Sequence, residues 1–154
     1  FDALLDAVPD GGHVDADHDV TTVGVWHPPG GRLADPPDGE LPAMVRVVFE
    51  HLGDVAAERL AALGVVTEYH PSEPHWYLAL LGTRTDRQGQ GRGGVVLASM
   101  LERCDQAGLP AYLESSNPLN VGLYERHGFL VTDTVRIAGD GPLMTFMWRE
   151  PRPI

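Results

Sequence analysis

The sequence predicts a single α/β domain in which strands and helices alternate around one mixed sheet. The chain has 154 residues, of which 43% are hydrophobic and 21% charged, enough to bury one core. Short apolar runs alternate with segments of helical periodicity in the second half, and the chain finishes in two strand-like segments. We assign residues 1–154 to one domain, with 1–12 as a remnant helix and turn and 150–154 as a tail.

The first half of the chain predicts a hairpin flanked by helical segments. Residues 1–8 have the spacing of a helix end. Residues 20–26 are rich in β-branched side chains and are expected to pair with the acidic stretch 13–19, leaving an exposed edge. Residues 41–52 and 54–63 carry apolar side chains at helical intervals, which predicts two helices.

The second half predicts the centre of the sheet. Residues 76–81 form a continuous apolar run, which is typical of a central strand buried on both faces. A helix follows with Leu97, Met100, Leu101 and Cys104 on one face, and it is expected to stop at Gly108. The remaining elements are predicted as a strand at 111–114, a helix at 118–126, and strands at 129–137 and 143–148.

The charge balance argues against nucleic acid and favours a small cationic partner. Twenty-two acidic residues outnumber 11 basic ones, all of them arginine, and the net charge is -11. Such a field repels polyanions and attracts cations, including protonated amines. We therefore expect a small-molecule amine and no nucleic-acid partner.

The sequence shows no sign of a membrane or metal partner. No apolar run approaches the roughly 20 residues that cross a bilayer, and no basic region precedes an apolar signal core. The single Cys104 excludes an internal disulfide and a cysteine-based zinc site, and the histidines lack helical ligand spacing. We expect a cytoplasmic protein without metal, with Cys104 as a core thiol.

A glycine-rich turn between residues 85 and 94 predicts an anion cradle. Four glycines occupy the six positions from 89 to 94, and the following helix points unpaired N–H groups back at the turn. Three arginines, Arg84, Arg87 and Arg92, add positive charge. The alternative is a flexible connection with solvated arginines. A P-loop is excluded because the chain has no lysine, and a dinucleotide fold is disfavoured because repeated βαβ units are missing.

Two spaced motifs resemble those of the GNAT superfamily of N-acetyltransferases. Gln88, Gly91 and Gly93 match its coenzyme A loop, Gln/Arg-x-x-Gly-x-Gly/Ala. An Asn-led helix from Asn117 that ends in Tyr-Glu-Arg before Gly-Phe resembles its second signature. The resemblance covers about residues 13–149, and Leu-Glu-Ser-Ser-Asn-Pro with Tyr-Glu-Arg-His-Gly-Phe is similar to the puromycin N-acetyltransferase branch.

The resemblance implies a mostly antiparallel sheet with flanking helices and one splayed parallel pair, strands 76–83 and 111–114. The gap between them would take the pantetheine arm of acetyl-CoA. The implied cofactor-binding residues are Leu81, Thr83, Gln88, Gly89, Gln90, Gly91, Arg92, Gly93, Gly94, Asn117 and Asn120. The family's N-terminal strand and helices are missing before residue 13, so part of the acceptor pocket is expected to be absent or supplied by another chain, as in a homodimer.

Two residues are assigned to the chemistry. Tyr124 follows Asn117 and Asn120 at helical spacing, and its phenol can protonate the departing thiolate; the alternative is an aromatic that packs beneath Phe129. Glu114 is the candidate that accepts the amine's proton, directly or through water; the alternative is a side chain bonded to its backbone surroundings. An amide near Leu81 would hold the oxyanion.

The histidines His70 and His75 stand beside Trp76 and Tyr77, where they could line an acceptor site. We favour the simpler interpretation, polar tips at a strand entrance.

The predicted function is therefore acetyl-CoA-dependent N-acetyl transfer to the primary amine of a small molecule by direct attack on the thioester. The alternative is a non-catalytic acyl-CoA-binding sensor or scaffold. A protein amine is a third kind of partner.

Overall fold

The computed structural model describes residues 10–30, 64, 66–137 and 141–153. The strands are β1 (His13–Ala16), β2 (Thr22–His27), β3 (Trp76–Thr83), β4 (Ala111–Ser115), β5 (Leu130–Arg136) and β6 (Leu143–Arg149). A 3-10 turn (Thr85–Arg87) and helix α1 (Arg92–Ala107) join β3 to β4, and helix α2 (Pro118–Arg126) joins β4 to β5. The segments 1–8, 41–52 and 54–63, predicted as helical, lie outside the described residues.

The strands form one sheet in the order β1-β2-β3-β4-β6-β5. The β3–β4 pair is parallel, and every other neighbouring pair is antiparallel. A parallel pair needs a long crossover connection, which α1 provides. The predicted hairpin is confirmed, because β1 and β2 pair with Val14 opposite Val25. The mixed, mostly antiparallel α/β sheet is thus confirmed.

The parallel pair separates after three residues. Trp76, Tyr77 and Leu78 of β3 pair with Ala111, Tyr112 and Leu113 of β4. On its other side β3 stays paired with β2 as far as Thr83. The second half of β3 therefore has a strand neighbour on one side and a gap on the side of β4. This is the splay that the family resemblance implied.

A bulge in β3 lies at the mouth of this gap. Val25 of β2 pairs with Leu80 and Trp26 pairs with Leu78, so Ala79 is the extra residue. One extra residue reverses the alternation of side chains, and Leu81 consequently packs in the same cluster as Leu78. The expectation of a strand buried on both faces is wrong, because Leu80 is 36% exposed. Beyond Leu78, no β4 neighbour covers that part of the strand.

The main core lies between the sheet and the two helices. The predicted face of α1 is confirmed, since Leu97, Met100, Leu101 and Cys104 are all buried. Burial raises the pKa of the Cys104 thiol to about 12, so it stays protonated and is a core group, as expected. The helix ends at Gly108, whose φ of 64° is left-handed, as the sequence predicted. A second cluster, on the opposite face of the sheet, includes Tyr112 and Phe146.

A buried ion pair fastens α1 to β6. Nη1 and Nη2 of Arg149 each donate to the carboxylate of Asp105 at 2.8 Å, and Arg149 is 3% exposed. The Nε atom of Arg149 donates to the carbonyl of His127, just after α2. One buried charge therefore ties together a strand and both helices.

We expect Asp105→Ala to lower the free energy of unfolding by about 3 kcal/mol, because it leaves the buried Arg149 guanidinium without its counter-charge. Urea unfolding measures the loss. The matched control is Glu125→Ala, which removes an exposed carboxylate from α2 and should cost well under about 1 kcal/mol. An equal loss in both variants would contradict the role of the pair.

Candidate active site

The glycine-rich turn forms an open concave surface at the start of α1. Gly89 and Gly91 have φ values of 72° and 77°, which other residues adopt only with strain. A Cβ atom at either position would meet no atom within 4 Å, so the surface beside the turn is open. Gly91 is the N-cap of α1, and the free N–H groups of the first helical turn point towards this surface. The turn thus fits an anionic group.

The two glutamine side chains of the turn stabilise the loop itself. Gln88 Nε2 donates to the carbonyl of Thr83 at 3.1 Å, which ties the loop to the end of β3. Gln90 Nε2 donates to the carbonyl of Asp86 at 3.4 Å. One N–H of each amide therefore binds the chain, and the turn is held in place without the help of a ligand.

The arginines of the turn are paired with carboxylates. Arg92 NH1 contacts Asp17 at 2.6 Å and Asp19 at 3.3 Å, both next to the β1–β2 hairpin. Arg84 pairs with Asp86 at 2.6 Å. The free positive charge expected around the turn is therefore largely neutralised. A contact between Arg92 and a diphosphate stays a prediction that would require its carboxylate partners to be displaced.

Two further glycines let α1 approach its neighbours closely. A Cβ on Gly94 would lie 3.1 Å from Cε1 of His127, and one on Gly93 would lie 3.7 Å from Leu81. The His127 ring lies between two carbonyls, with Nδ1 2.9 Å from Leu123 O and Nε2 3.1 Å from Gly94 O. His127 thus bridges α1 and α2. The sequence analysis missed this residue, because the spacing of a single histidine carries no signal for such a bridge.

Helix α2 carries three of the predicted residues. Asn117 is its N-cap, and its Oδ1 accepts a hydrogen bond from the Leu119 amide at 3.0 Å. Asn120 is exposed on the first turn. Tyr124 is 6% exposed and packs edge-on against Phe129, with ring centroids 6.1 Å apart. Tyr124 therefore packs against Phe129, as the alternative interpretation expected. Packing of the ring is compatible with a chemical role for the hydroxyl.

Burial raises the pKa of Tyr124 above its ordinary value near 10. The phenol is therefore fully protonated at neutral pH. A protonated hydroxyl can donate a proton and cannot act as a base, which agrees with the role of general acid.

Glu114 projects from the opposite face of the sheet. It pairs across the sheet with Phe146, and Tyr112 pairs with Trp148, so these side chains share one face. Leu113, between them, packs in the core beneath the helices. Leu113 is also the last residue of β4 that pairs with β3, so Glu114 lies where the gap between the two strands opens.

The Glu114 carboxylate is almost completely enclosed. Its side chain is 4% exposed, and Oε1 lies 3.3 Å from Nδ1 of His70. Burial raises the pKa of Tyr77 and of Tyr112, and the negative charge of Glu114 raises both further. Both phenols remain protonated next to the carboxylate. Hydrogen bonding to Glu114 also raises the pKa of both phenols, so among the described residues the carboxylate is surrounded by His70, Tyr77 and Tyr112.

His70 lies at the centre of a ring cluster. Its ring centroid is 5.0 Å from each of the rings of His75, Tyr77 and Tyr112. His75 is buried, and its Nδ1 donates to the carbonyl of Glu73 at 2.6 Å. The interpretation of His70 and His75 as polar tips at a strand entrance is wrong, because both pack inside the cluster. The sequence could not show that their loop folds back over β4.

No group of three or more metal-ligating side chains occurs among the described residues, and no helix within them is long and apolar enough to cross a membrane.

The comparisons with known proteins agree on one family. The model of the GNAT acetyltransferase family matches residues 13–129. An uncharacterised N-acetyltransferase of Schizosaccharomyces pombe is 36% identical over 78 residues, which cover 49% of this chain and 32% of the relative. The aligned part thus spans about a third of that relative.

Solved structures show the same fold. A crystal structure from Corynebacterium glutamicum, described as histone acetyltransferase HPA2 and related acetyltransferase, superposes with a TM-score of 0.62. It is 24% identical, and the match covers 99% of this chain and 74% of that one. A second structure, described as an acetyltransferase, has a TM-score of 0.51 at 19% identity and covers 90% and 70%. At these identities the likeness concerns the fold alone.

The ring cluster predicts how stability depends on pH. Burial lowers the pKa of His27 and of His75, and the charge of His70 lowers both further. The unfolded chain, with histidines near 6.5, then binds more protons than the folded chain as the medium becomes acidic. His27 and His75 therefore contribute their full stabilisation above about pH 6.5, and this stabilisation is lost as pH falls below that value.

We therefore expect the free energy of unfolding to fall between about pH 7.5 and pH 5.5, and to fall less in a His75→Phe variant. Urea unfolding at both pH values measures the two losses. Identical losses in wild type and variant would show that His75 does not resist protonation in the folded state.

Proposed function

The chain belongs to the GNAT family of acetyltransferases, whose acyl donor is acetyl-CoA, and on that premise we propose that it acetylates the primary amine of a small molecule. One observation carries the proposal. The gap between β3 and β4 opens directly beside the glycine turn, with Tyr124 on one face of the sheet and Glu114 on the other.

Backbone groups would hold the donor. The amides of Leu81 and Thr83 lie on the half of β3 that no β4 residue pairs with, and they are assigned to the pantetheine arm. The amides from Gln88 to Gly94 are assigned to the diphosphate; those of Gln88 and Gly94 already donate to the carbonyls of Thr85 and Gly91, which leaves the amides of residues 89–93 for the ligand. Asn117 and Asn120 are assigned to the pantetheine end. The open space beside Gly89 and Gly91 supports this assignment. When bound, acetyl-CoA supplies the thioester carbon that the amine attacks.

Tyr124 would act as the general acid. Its phenol stays protonated because burial raises its pKa, and a thiol has a lower pKa, near 8.5. Because the phenol is the weaker acid, Tyr124 would first donate a hydrogen bond to the negative charge that develops on the departing sulfur, and its proton would move to the thiolate as solvent restores the phenol. An amide near Leu81 would stabilise the negative charge on the carbonyl oxygen.

Glu114 would draw the proton from the amine, directly or through water. The carboxylate is 4% exposed and is already contacted by His70, and a bound ammonium group would add a full positive charge to that compensation. Its position on the face opposite Tyr124 lets the amine approach from one side of the sheet while the sulfur is protonated from the other.

The surroundings of this face favour a cationic acceptor. A cavity of about 460 Å³ opens beside Trp148 and Tyr69 on the β5–β6 side of this face, and three carboxylates line it, those of Glu73, Asp133 and Glu150. Its lining does not include Glu114 or His70, so it lies to one side of the proposed centre. The net charge of -11 adds a long-range attraction for ammonium groups. The sequences of residues 113–118 and 124–129 resemble those of the puromycin N-acetyltransferase branch, which supports an acceptor of the puromycin type.

A sensor or scaffold that binds acyl-CoA without turnover is the competing function. Thiol release from acetyl-CoA, followed with a chromogenic disulfide and an amine panel of puromycin, tyramine, spermidine and glucosamine, separates the two. The proposed function requires thiol release and an equal amount of acetylated amine. Binding of acetyl-CoA by the full-length protein with no thiol release from any amine would favour the sensor.

We expect Tyr124→Phe to reduce kcat by about 100-fold or more, because it removes the proton donor and keeps the ring that packs on Phe129. The dissociation constant of acetyl-CoA, from calorimetry, should stay within about twofold. Phe129→Leu is the control for packing, since it disturbs the same contact without removing a donor and should affect stability more than kcat. A Tyr124→Phe variant with wild-type kcat would remove Tyr124 from its role.

We expect Gly91→Val to weaken acetyl-CoA binding by at least about tenfold, because a branched side chain intrudes on the open surface beside the amides. Strain at a positive φ also lowers stability, and Gly108→Val is the matched control. Gly108 has a φ of 64° at the other end of α1, also with nothing within 4 Å of its Cβ. The control should lose stability and keep its affinity. Wild-type affinity in Gly91→Val would contradict the cradle.

A further inference from the structure

Building on the proposed function, we propose that His70 is the catalytic residue that takes the proton from the acceptor amine, and that Glu114 is the residue that positions it. The basis is geometric. His70 Nδ1 lies 3.3 Å from Glu114 Oε1, and the two side chains are 17% and 4% exposed. The imidazole, as the more exposed of the two side chains, is thus the member of the pair that a substrate reaches more easily.

The carboxylate fixes the tautomer of the ring. An ionised carboxylate only accepts hydrogen bonds, so Nδ1 must carry the proton in the 3.3 Å contact. Neutral imidazole then has its lone pair on Nε2. Within the described residues, no hydrogen bond involves Nε2 of His70. This nitrogen is therefore the one that can accept a proton, as in any base oriented by a buried carboxylate.

The other titratable groups around the ring do not compete for this role. His27 from β2 and His75 from the preceding loop are held neutral, since burial lowers their pKa values. His75 also uses Nδ1 on the Glu73 carbonyl. Tyr77 and Tyr112 stay protonated and cannot accept the proton at neutral pH. Of the three histidines, His70 alone contacts a carboxylate among the described residues.

The proposed step is balanced by groups of this chain and by solvent. The amine nitrogen forms a bond to the thioester carbon while the carbon–sulfur bond breaks. The proton that leaves nitrogen goes to His70 Nε2, and the sulfur receives the phenolic proton of Tyr124. Solvent then removes the proton from His70 and returns one to Tyr124, so both groups are restored. Imidazole suits this role better than a carboxylate, because its ordinary basicity is nearer to working pH.

The first test needs no turnover. Long-range proton–nitrogen NMR of full-length protein labelled with ¹⁵N-histidine reports which ring nitrogen carries the proton. We expect His70 at about pH 8 to be protonated on Nδ1 and bare on Nε2. His13 on β1 serves as an internal reference, because its Nε2, rather than its Nδ1, contacts a carboxylate and is expected to carry the proton. A His70 ring protonated on Nε2 would overturn the assignment.

The second test is kinetic. His70→Gln should lower kcat by about 100-fold near pH 7, with acetyl-CoA affinity within about twofold. The difference in kcat between His70→Gln and wild type should narrow at alkaline pH, because solvent then deprotonates the amine without help. A merely structural loss would not recover in this way. His13→Gln, on the edge strand, is the control and should retain wild-type kcat.

A double-variant cycle tests the pairing. If Glu114 acts through His70, then Glu114→Gln and His70→Gln together should cost about as much as His70→Gln alone. If the double variant instead loses kcat by the product of the two single-variant losses, Glu114 does not act through His70. A deficit in His70→Gln that is constant with pH would overturn the base role of His70. Absence of thiol release in wild type with every amine of the panel would instead refute the proposed function, and the NMR result would still decide the tautomer.

Discussion

The separation of β3 from β4 is the constraint on which the rest of the structure depends. Three residue pairs hold the two strands together, and beyond Leu78 and Leu113 the strands part while β2 stays paired with β3. Backbone groups in a sheet normally find partners, so a parted parallel pair leaves donors and acceptors available to an extended ligand. The glycine turn continues that row of donors into the first turn of α1.

Packing keeps the gap open and its borders in place. The bulge at Ala79 turns Leu81 towards the core, where it meets α1 through the space left by Gly93. His127 bridges the helices, and Arg149 ties α1 to β6 through Asp105. These contacts position α2, and therefore Tyr124, against one face of the sheet. The other face has a different character, because a buried carboxylate there is surrounded by histidine and tyrosine rings.

The sequence predicted the elements better than their surroundings. Periodicity located α1 with its buried face, the β1–β2 hairpin and the glycine turn, because these features are local. It misjudged β3, since an apolar run does not reveal that a neighbouring strand departs halfway along it. It named Glu114 and Tyr124 as candidates, but it missed the contact of His70 with Glu114, 44 residues away in the chain. It also overrated the free charge of Arg92, because the pairing with Asp17 joins residues 75 positions apart.

Amide hydrogen exchange with and without acetyl-CoA tests the central claim most directly. If the parted half of β3 and the glycine turn hold the donor, acetyl-CoA should slow exchange at the amides of residues 81–83 and 88–94. Amides of β5, on the far edge of the sheet, should exchange at unchanged rates. Saturating acetyl-CoA that slows exchange elsewhere and leaves both of these segments unchanged would contradict the account.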